Sequence, residues 1–236
     1  MPRPSVPVST RGFTVSHLLH LDSSARSDSF TRRLGEAFAE AWLGGGGEVT
    51  HRDLAAEPLP PIREGWTRIC DTLLREGITE TDRYPEAVRT AQEQEAWAVV
   101  RPLLDELVAA DVVLIGAPMY NFGIPAALKA WIDQVTFPKM VLAPRKFVVV
   151  AARGGAYGPG TPRAPFDHNG RYLLDFFRGH YAVEDGEVIA AELVNSLVDP
   201  ALAGRLEQHR ESAADALYRA QELGNKLVGY RVPRAG

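Results

Sequence analysis

The sequence predicts an α/β protein built on a parallel, doubly wound sheet. The segments 111–117 and 146–152 are nearly continuous apolar runs, the pattern of central strands covered on both faces. Strand-like and amphipathic helical stretches alternate along the chain, and such alternation calls for right-handed βαβ crossovers. Glycine- and proline-rich connectors punctuate these segments. The 236 residues are ample for one well-buried domain and few for two.

Each element follows in order. Residues 1–12 mix Pro, Ser and Arg without periodicity and read as a flexible extension. The first strand is expected over 14–21. A helix should then start near Ser29, because Phe30, Leu34, Phe38 and Trp42 recur at intervals of four, and the glycines at 44–47 end it. A short strand at 48–54 precedes the prolines 58, 60 and 61. The segment 62–84 reads as an excursion with a helix near 66–75. A long helix is expected over 85–109, with Pro102 as a local irregularity. After the strand at 111–117 come a helix at 125–135 and the strand at 146–152. A loop at 153–165, a helix near 171–179, a strand near 188–193 and an amphipathic helix at 200–227 complete the chain.

Composition narrows the class of function. With 45% hydrophobic and 24% charged residues the chain is ordinary globular material. A net charge of −4 and a pI near 5.9 give no bulk attraction to nucleic acid or anionic lipid, so neither is expected as a partner. Cys70 is the only cysteine, which rules out an internal disulfide and leaves a cysteine-based zinc site short of ligands. No stretch approaches the roughly 20 apolar residues of a membrane span, and the first residues lack a signal-peptide core. A cytoplasmic setting is the expectation.

Ligands of such sheets bind beyond the carboxyl ends of the strands, which singles out three loops. The first carries Ser23, Ser24, Ser27, Asp28 and Ser29 at the start of a helix, where unpaired N–H groups attract a phosphate. Helix capping alone would need one hydroxyl. The second runs Pro118-Met119-Tyr120-Asn121-Phe122-Gly123-Ile124-Pro125, placing aromatic side chains on a backbone restricted by two prolines. Pinning of the loop to the sheet competes with contact to a flat ligand. The third, Arg153-Gly154-Gly155, allows close approach of the backbone, yet prolines at 159, 162 and 165 forbid the helix of a dinucleotide motif. A mobile surface loop is the bland alternative there.

Other residues carry less. His17 and His20 are three apart on a strand and face opposite ways, so they do not share a metal, and no metal is expected. His168 lies in the turn-like Asp167-His168-Asn169-Gly170, and Phe176 and Phe177 read as core, one of them within reach of a ligand edge.

Taken together, the three loops resemble the FMN-dependent NADH-azoreductases, flavodoxin-like enzymes that also reduce quinones. P-M-Y-N-F followed by L-K-A-W-I-D over 118–133 is the most specific match, supported by the serines near 23 and R-G-G at 153. The resemblance covers roughly residues 14–228. It implies a five-stranded sheet of order 2-1-3-4-5 and one FMN-binding domain over 13–230. Ser24, Ser27, Asp28 and Ser29 would then hold the FMN phosphate. Pro118, Met119, Tyr120, Asn121 and Phe122 would line the isoalloxazine, and Arg153, Gly154 and Gly155 would meet its pyrimidine edge. The family also implies a homodimer with the site near the interface. Its reaction would be ping-pong hydride transfer from NADH or NADPH through flavin N5 to a quinone, azo or related small-molecule acceptor. No catalytic side chain is implied with certainty; Tyr120 is the best candidate for positioning substrate. Ala152 stands where relatives often carry Ser, the 137–145 connection is short, and 62–84 is long. These departures keep open a biosynthetic flavoenzyme, an electron carrier, or a scaffold that has lost FMN.

Overall fold

The computed structural model describes residues 15–233. The expected extension at 1–12 and the first residue of the 14–21 strand lie outside the described residues. Five parallel strands, β1 (His17–Asp22), β2 (Glu48–Asp53), β3 (Val112–Gly116), β4 (Lys146–Ala152) and β5 (Glu187–Ala191), form one sheet of order β2-β1-β3-β4-β5. The expected strand order is therefore observed.

Two apolar layers cover the sheet. On one face, Leu18, Val112, Leu114, Val148, Val150 and Ile189 meet α1 (Phe30–Gly44) and α6 (Leu206–Leu227). These two helices pack so closely that a Cβ at Gly224 would come within 2.6 Å of the Phe38 carbonyl. On the other face, Leu19, Leu21, Val113, Ile115, Phe147 and Val149 meet α2 (Glu64–Glu76), α3 (Ala91–Ala109), α4 (Ala126–Val135) and α5 (Gly170–Tyr181). Neighbouring β1 residues thus alternate between two cores, as the period of a strand requires.

The segment 62–84 is part of this second core. Trp66 and Tyr84 flank Phe137 at ring-centroid distances of 5.3 and 5.0 Å, and Trp97 of α3 approaches it at 6.3 Å. Trp66 donates its indole N–H to the Gln134 carbonyl (3.0 Å), and the Gln134 amide donates to the Pro60 carbonyl (2.8 Å).

Several element ends differ from the sequence reading: the first strand begins at His17 rather than 14, the helices near 66–75 and 171–179 span Glu64–Glu76 and Gly170–Tyr181, and three further differences have a visible cause. The long helix starts at Ala91 rather than 85, because Pro85 belongs to a separate 3₁₀ turn (Thr81–Ala87) and Thr90 caps α3. It then continues through Pro102, whose lost bond falls on the solvent side of the helix. The last helix starts at Leu206, since Pro200–Arg205 forms a 3₁₀ turn opened by the Asp199 side chain. The fifth strand closes at Ala191 rather than 193, because Leu193 turns into the left-handed region.

Candidate functional site

β1, β3 and β4 are adjacent, so their carboxyl ends bring the three loops together. In the first loop the serines divide their work. The Ser23 hydroxyl donates to the Gly116 carbonyl (2.5 Å), fastening the loop to the end of β3. The buried Ser24 hydroxyl accepts from the Arg26 amide (3.3 Å), and Ser29 caps α1 by accepting from the Arg32 amide (3.2 Å). Ser27 and Asp28 are exposed. The amides of Ser27, Asp28, Ser29, Phe30 and Thr31 meet no acceptor among the described residues. They stand at the positive end of a 15-residue helix, which makes the loop an anion seat.

Arg32 supports this loop from below. Its guanidinium donates to the carbonyls of Ser24 and Arg26 (both 2.9 Å) and pairs with Asp53 at 2.8 Å and Asp22 at 3.4 Å. The sequence reading passed over Arg32, because its spacing from the serines has no signature of its own.

In the second loop, Tyr120 and Gly123 exchange backbone hydrogen bonds of 3.0 Å around Asn121 (φ 49°) and Phe122 (φ 69°). Two central residues of positive φ define a type I′ turn, a tight hairpin that Asn favours and Phe does not. Tyr120 and Phe122 are 40% and 45% exposed, so neither ring serves to pin the loop to the core. The Tyr120 hydroxyl accepts from the Ala25 amide (3.2 Å) and thereby ties the second loop to the first. Phe122 packs against Phe166 and Tyr157, with centroids 5.7 and 6.2 Å away. Met119 is half-buried, and its amide donates to the Ala152 carbonyl (3.0 Å).

Beneath this turn lies a residue the sequence reading missed. Asn169, fully buried, donates its side-chain amide toward the carbonyls of Ala117, Pro118 and Gly123 at 3.3, 3.4 and 3.3 Å. The only signal was its place in a turn-like tetrapeptide. Of its neighbours, His168 is exposed as expected.

The third loop differs from expectation in its side chain. Arg153 is 5% exposed and points inward, pairing with Asp167 at 3.0 Å and Glu192 at 3.3 Å. Its guanidinium is occupied by these carboxylates, so what the loop presents is backbone. The Gly154 and Gly155 carbonyls accept from Asn195 (3.2 Å) and Leu193 (3.1 Å), while their amides meet no acceptor among the described residues. Gly154 is also required by packing, since a Cβ there would fall 2.7 Å from the Asn195 side chain.

Several other groups fall away from the site. Cys70 is buried, and burial pushes its thiol up to about 12, so it stays protonated. His17 bonds Thr50 (2.7 Å) while His20 faces α1, the opposite orientations expected of them. Phe177 is core; Phe176 is half-buried beside Tyr172 and His180 and lines a cleft of about 410 Å³ with Trp66 and Ile132. No residue of the three loops lines that cleft. A second cleft of about 450 Å³ does reach the third loop, lined by Arg153 with Tyr157, Gly158 and Asp167.

Comparison with known proteins agrees with this geometry. The sequence pattern of a family described as having a flavodoxin-like fold matches residues 16–217. A protein of Nocardia farcinica named FMN-dependent NADH:quinone oxidoreductase is 58% identical over 211 residues, 89% of this chain and 98% of its own. One of the same name from Streptomyces coelicolor is 37% identical over 228 residues, covering 89% and 96%. Among solved structures, an FMN-dependent NADH-azoreductase of Bacillus anthracis in complex with FMN superposes with a TM-score of 0.69 at 17% identity, over 91% of this chain and 100% of that one, a likeness of fold. With the sheet order, the anion seat and the aromatic turn in place, the chain belongs to the flavodoxin-like FMN-dependent NADH:quinone oxidoreductase family.

Proposed function

We propose that this protein is an FMN-dependent NADH:quinone oxidoreductase that also accepts azo and related conjugated compounds, and that residues 13–230 form its FMN-binding domain. The observation that carries the reading is the joining of anion seat and aromatic turn by the Tyr120 hydroxyl on the Ala25 amide. A long ligand with phosphate at one end and a flat ring at the other fits that arrangement. The free amides of Ser27, Asp28 and Ser29, with the Ser24 hydroxyl beneath them, would hold the phosphate. Pro118, Met119, Tyr120, Asn121 and Phe122 would line the ring. The Gly154 and Gly155 amides would donate to its pyrimidine edge, with Arg153 holding that loop from within.

When bound, FMN supplies a ping-pong hydride relay from a nicotinamide donor to the acceptor. The chain's part is to orient and to stabilise charge. Backbone donors at positions 121, 122, 154 and 155 are fixed before the reaction and would offset negative charge that develops on the ring. Tyr120 and Phe122 offer exposed faces against which a planar acceptor can stack.

Anaerobic addition of NADH to the flavin-loaded protein should bleach its visible absorbance within the turnover time, and a quinone should restore it. Failure of NADH and NADPH alike to bleach it would exclude the reductase and favour an electron carrier. We also infer a homodimer, because Tyr120, Phe122 and Phe166, the last two packed together, leave three aromatic rings 40–50% exposed. Sedimentation should give twice the chain mass of 25.8 kDa; a monomer would refute it. No helix of the described residues is long and apolar enough to cross a membrane. We place the enzyme in the cytoplasm, where its nicotinamide donor is made, a location that fractionation with a cytoplasmic marker tests.

A further inference from the structure

The face of the sheet under α1 holds a second cluster of polar side chains. His20 and Asp22 lie two apart on β1 and so share that face, and the parallel register sets His51 of β2 beside His20. The two imidazole rings stand 4.9 Å apart. Asp22 Oδ2 is 2.9 Å from His51 Nε2 and 3.8 Å from His20 Nε2, and the three potential ligand atoms lie within 4.8 Å of one another. His20 and Asp22 are 4% and 3% exposed, whereas the His51 side chain is 49% exposed and opens the cluster to solvent.

We propose that His20, Asp22 and His51 form a site for a divalent cation of the Zn²⁺ class, bound by two imidazole nitrogens and one carboxylate oxygen with a coordination position left open. His20 Nε2 is buried without a hydrogen-bond partner among the described residues, which folded proteins avoid unless a ligand completes such a group. α1 passes close over this ring at Gly35, where a Cβ would come within 2.4 Å of Nε2.

Donor spacing and chemistry agree with such an ion. Nitrogen and oxygen donors at about 2.0–2.1 Å around a tetrahedral centre stand about 3.4 Å apart. Asp22 Oδ2 stands 2.9 Å from His51 Nε2, with which it shares a hydrogen bond, and 3.8 Å from His20 Nε2; the two distances straddle that value, and the half-exposed His51 can adjust. Two imidazoles with a single carboxylate suit Zn²⁺ or Co²⁺, not Mg²⁺ or Ca²⁺.

Arg32 is the opposing charge. Its Nη1 stands 3.4 Å from Asp22 Oδ2, but its Nη2 is committed to Asp53 and to the Ser24 carbonyl. With two carboxylates against one guanidinium, the cluster keeps a negative charge for a cation to offset.

The full-length protein, stripped with chelator, is titrated with Co²⁺ at neutral pH. The expected result is one equivalent bound with the intense visible bands of low-symmetry four-coordinate cobalt, displaced by Zn²⁺. Zn²⁺ should also raise the melting midpoint. His51→Ala removes an exposed side chain and should keep the fold while weakening Co²⁺ binding at least about tenfold and abolishing the Zn²⁺ shift. His168→Ala and His180→Ala, at exposed histidines elsewhere, should change neither. Absence of the cobalt bands, or undiminished affinity in His51→Ala, would overturn the proposal.

Discussion

Arg153 joins three segments: its own loop after β4, Asp167 before α5, and Glu192 after β5. Both carboxylates are largely buried, so removing the guanidinium leaves two anions short of a partner. We predict that Arg153→Met lowers stability by about 3 kcal/mol, read from the urea midpoint, and loosens flavin retention as the Gly154-Gly155 backbone moves. A midpoint equal to the parent's would show that the ion pairs contribute nothing. Residue-level roles were legible only in part. The motif placed Tyr120, Asn121 and Phe122 on a constrained connector after a central strand, and the structure makes that connector an exposed turn. Capping of α1 by Ser29 was among the readings the sequence offered, but the inward turn of Arg153 was not, because side-chain direction in an irregular loop is set by partners far along the chain. Asn169, 46 residues from its Gly123 acceptor, is such a partner.

Among the elements, α3 illustrates what periodicity can and cannot locate. Apolar spacing marked its body, yet its start depends on one local exchange. The Thr90 hydroxyl accepts from the Glu93 amide (3.3 Å), and the Glu93 carboxylate accepts from the amides of Arg89 and Thr90 (both 2.8 Å). We predict that Thr90→Ala costs about 1 kcal/mol, and that calorimetry will show a lowered melting temperature with NADH turnover intact. A loss confined to activity would mean the cap serves the site and not the helix. The same reasoning covers α6, where 3₁₀ and α turns share an apolar pattern, so the boundary at Leu206 left no mark in the sequence. Strands were read more closely, since a run buried on both faces ends abruptly where the chain reaches solvent.

At the scale of the molecule, the alternation of elements was enough to foresee a parallel sheet, and the family resemblance carried by the three loops supplied its order. The packing of 62–84 into the core was not foreseen, because the cluster around Phe137 draws on residues 66, 84 and 97, far apart in sequence. Global stability should also carry the imprint of His20. Its pKa is about 4 folded against 6.5 unfolded, owing mainly to burial. Above pH 6.5 both states hold it neutral and its contribution is complete; as pH falls toward 4 the unfolded chain takes up the proton first. Stability should thus fall by up to about 3 kcal/mol across that window in metal-free protein, with no further loss from this group below it. Urea midpoints at several pH values test this, and His20→Asn should flatten the slope; an unchanged slope would assign the titration elsewhere. The placement of the four tryptophans has an optical consequence. Trp42, Trp66, Trp97 and Trp131 lie on four successive helices, and Trp42 and Trp131 ride the two that leave the first and second loops. Indole emission overlaps flavin absorption, so with the ring seated as proposed, intrinsic fluorescence dims as the apoprotein fills, and loading can be timed without a label.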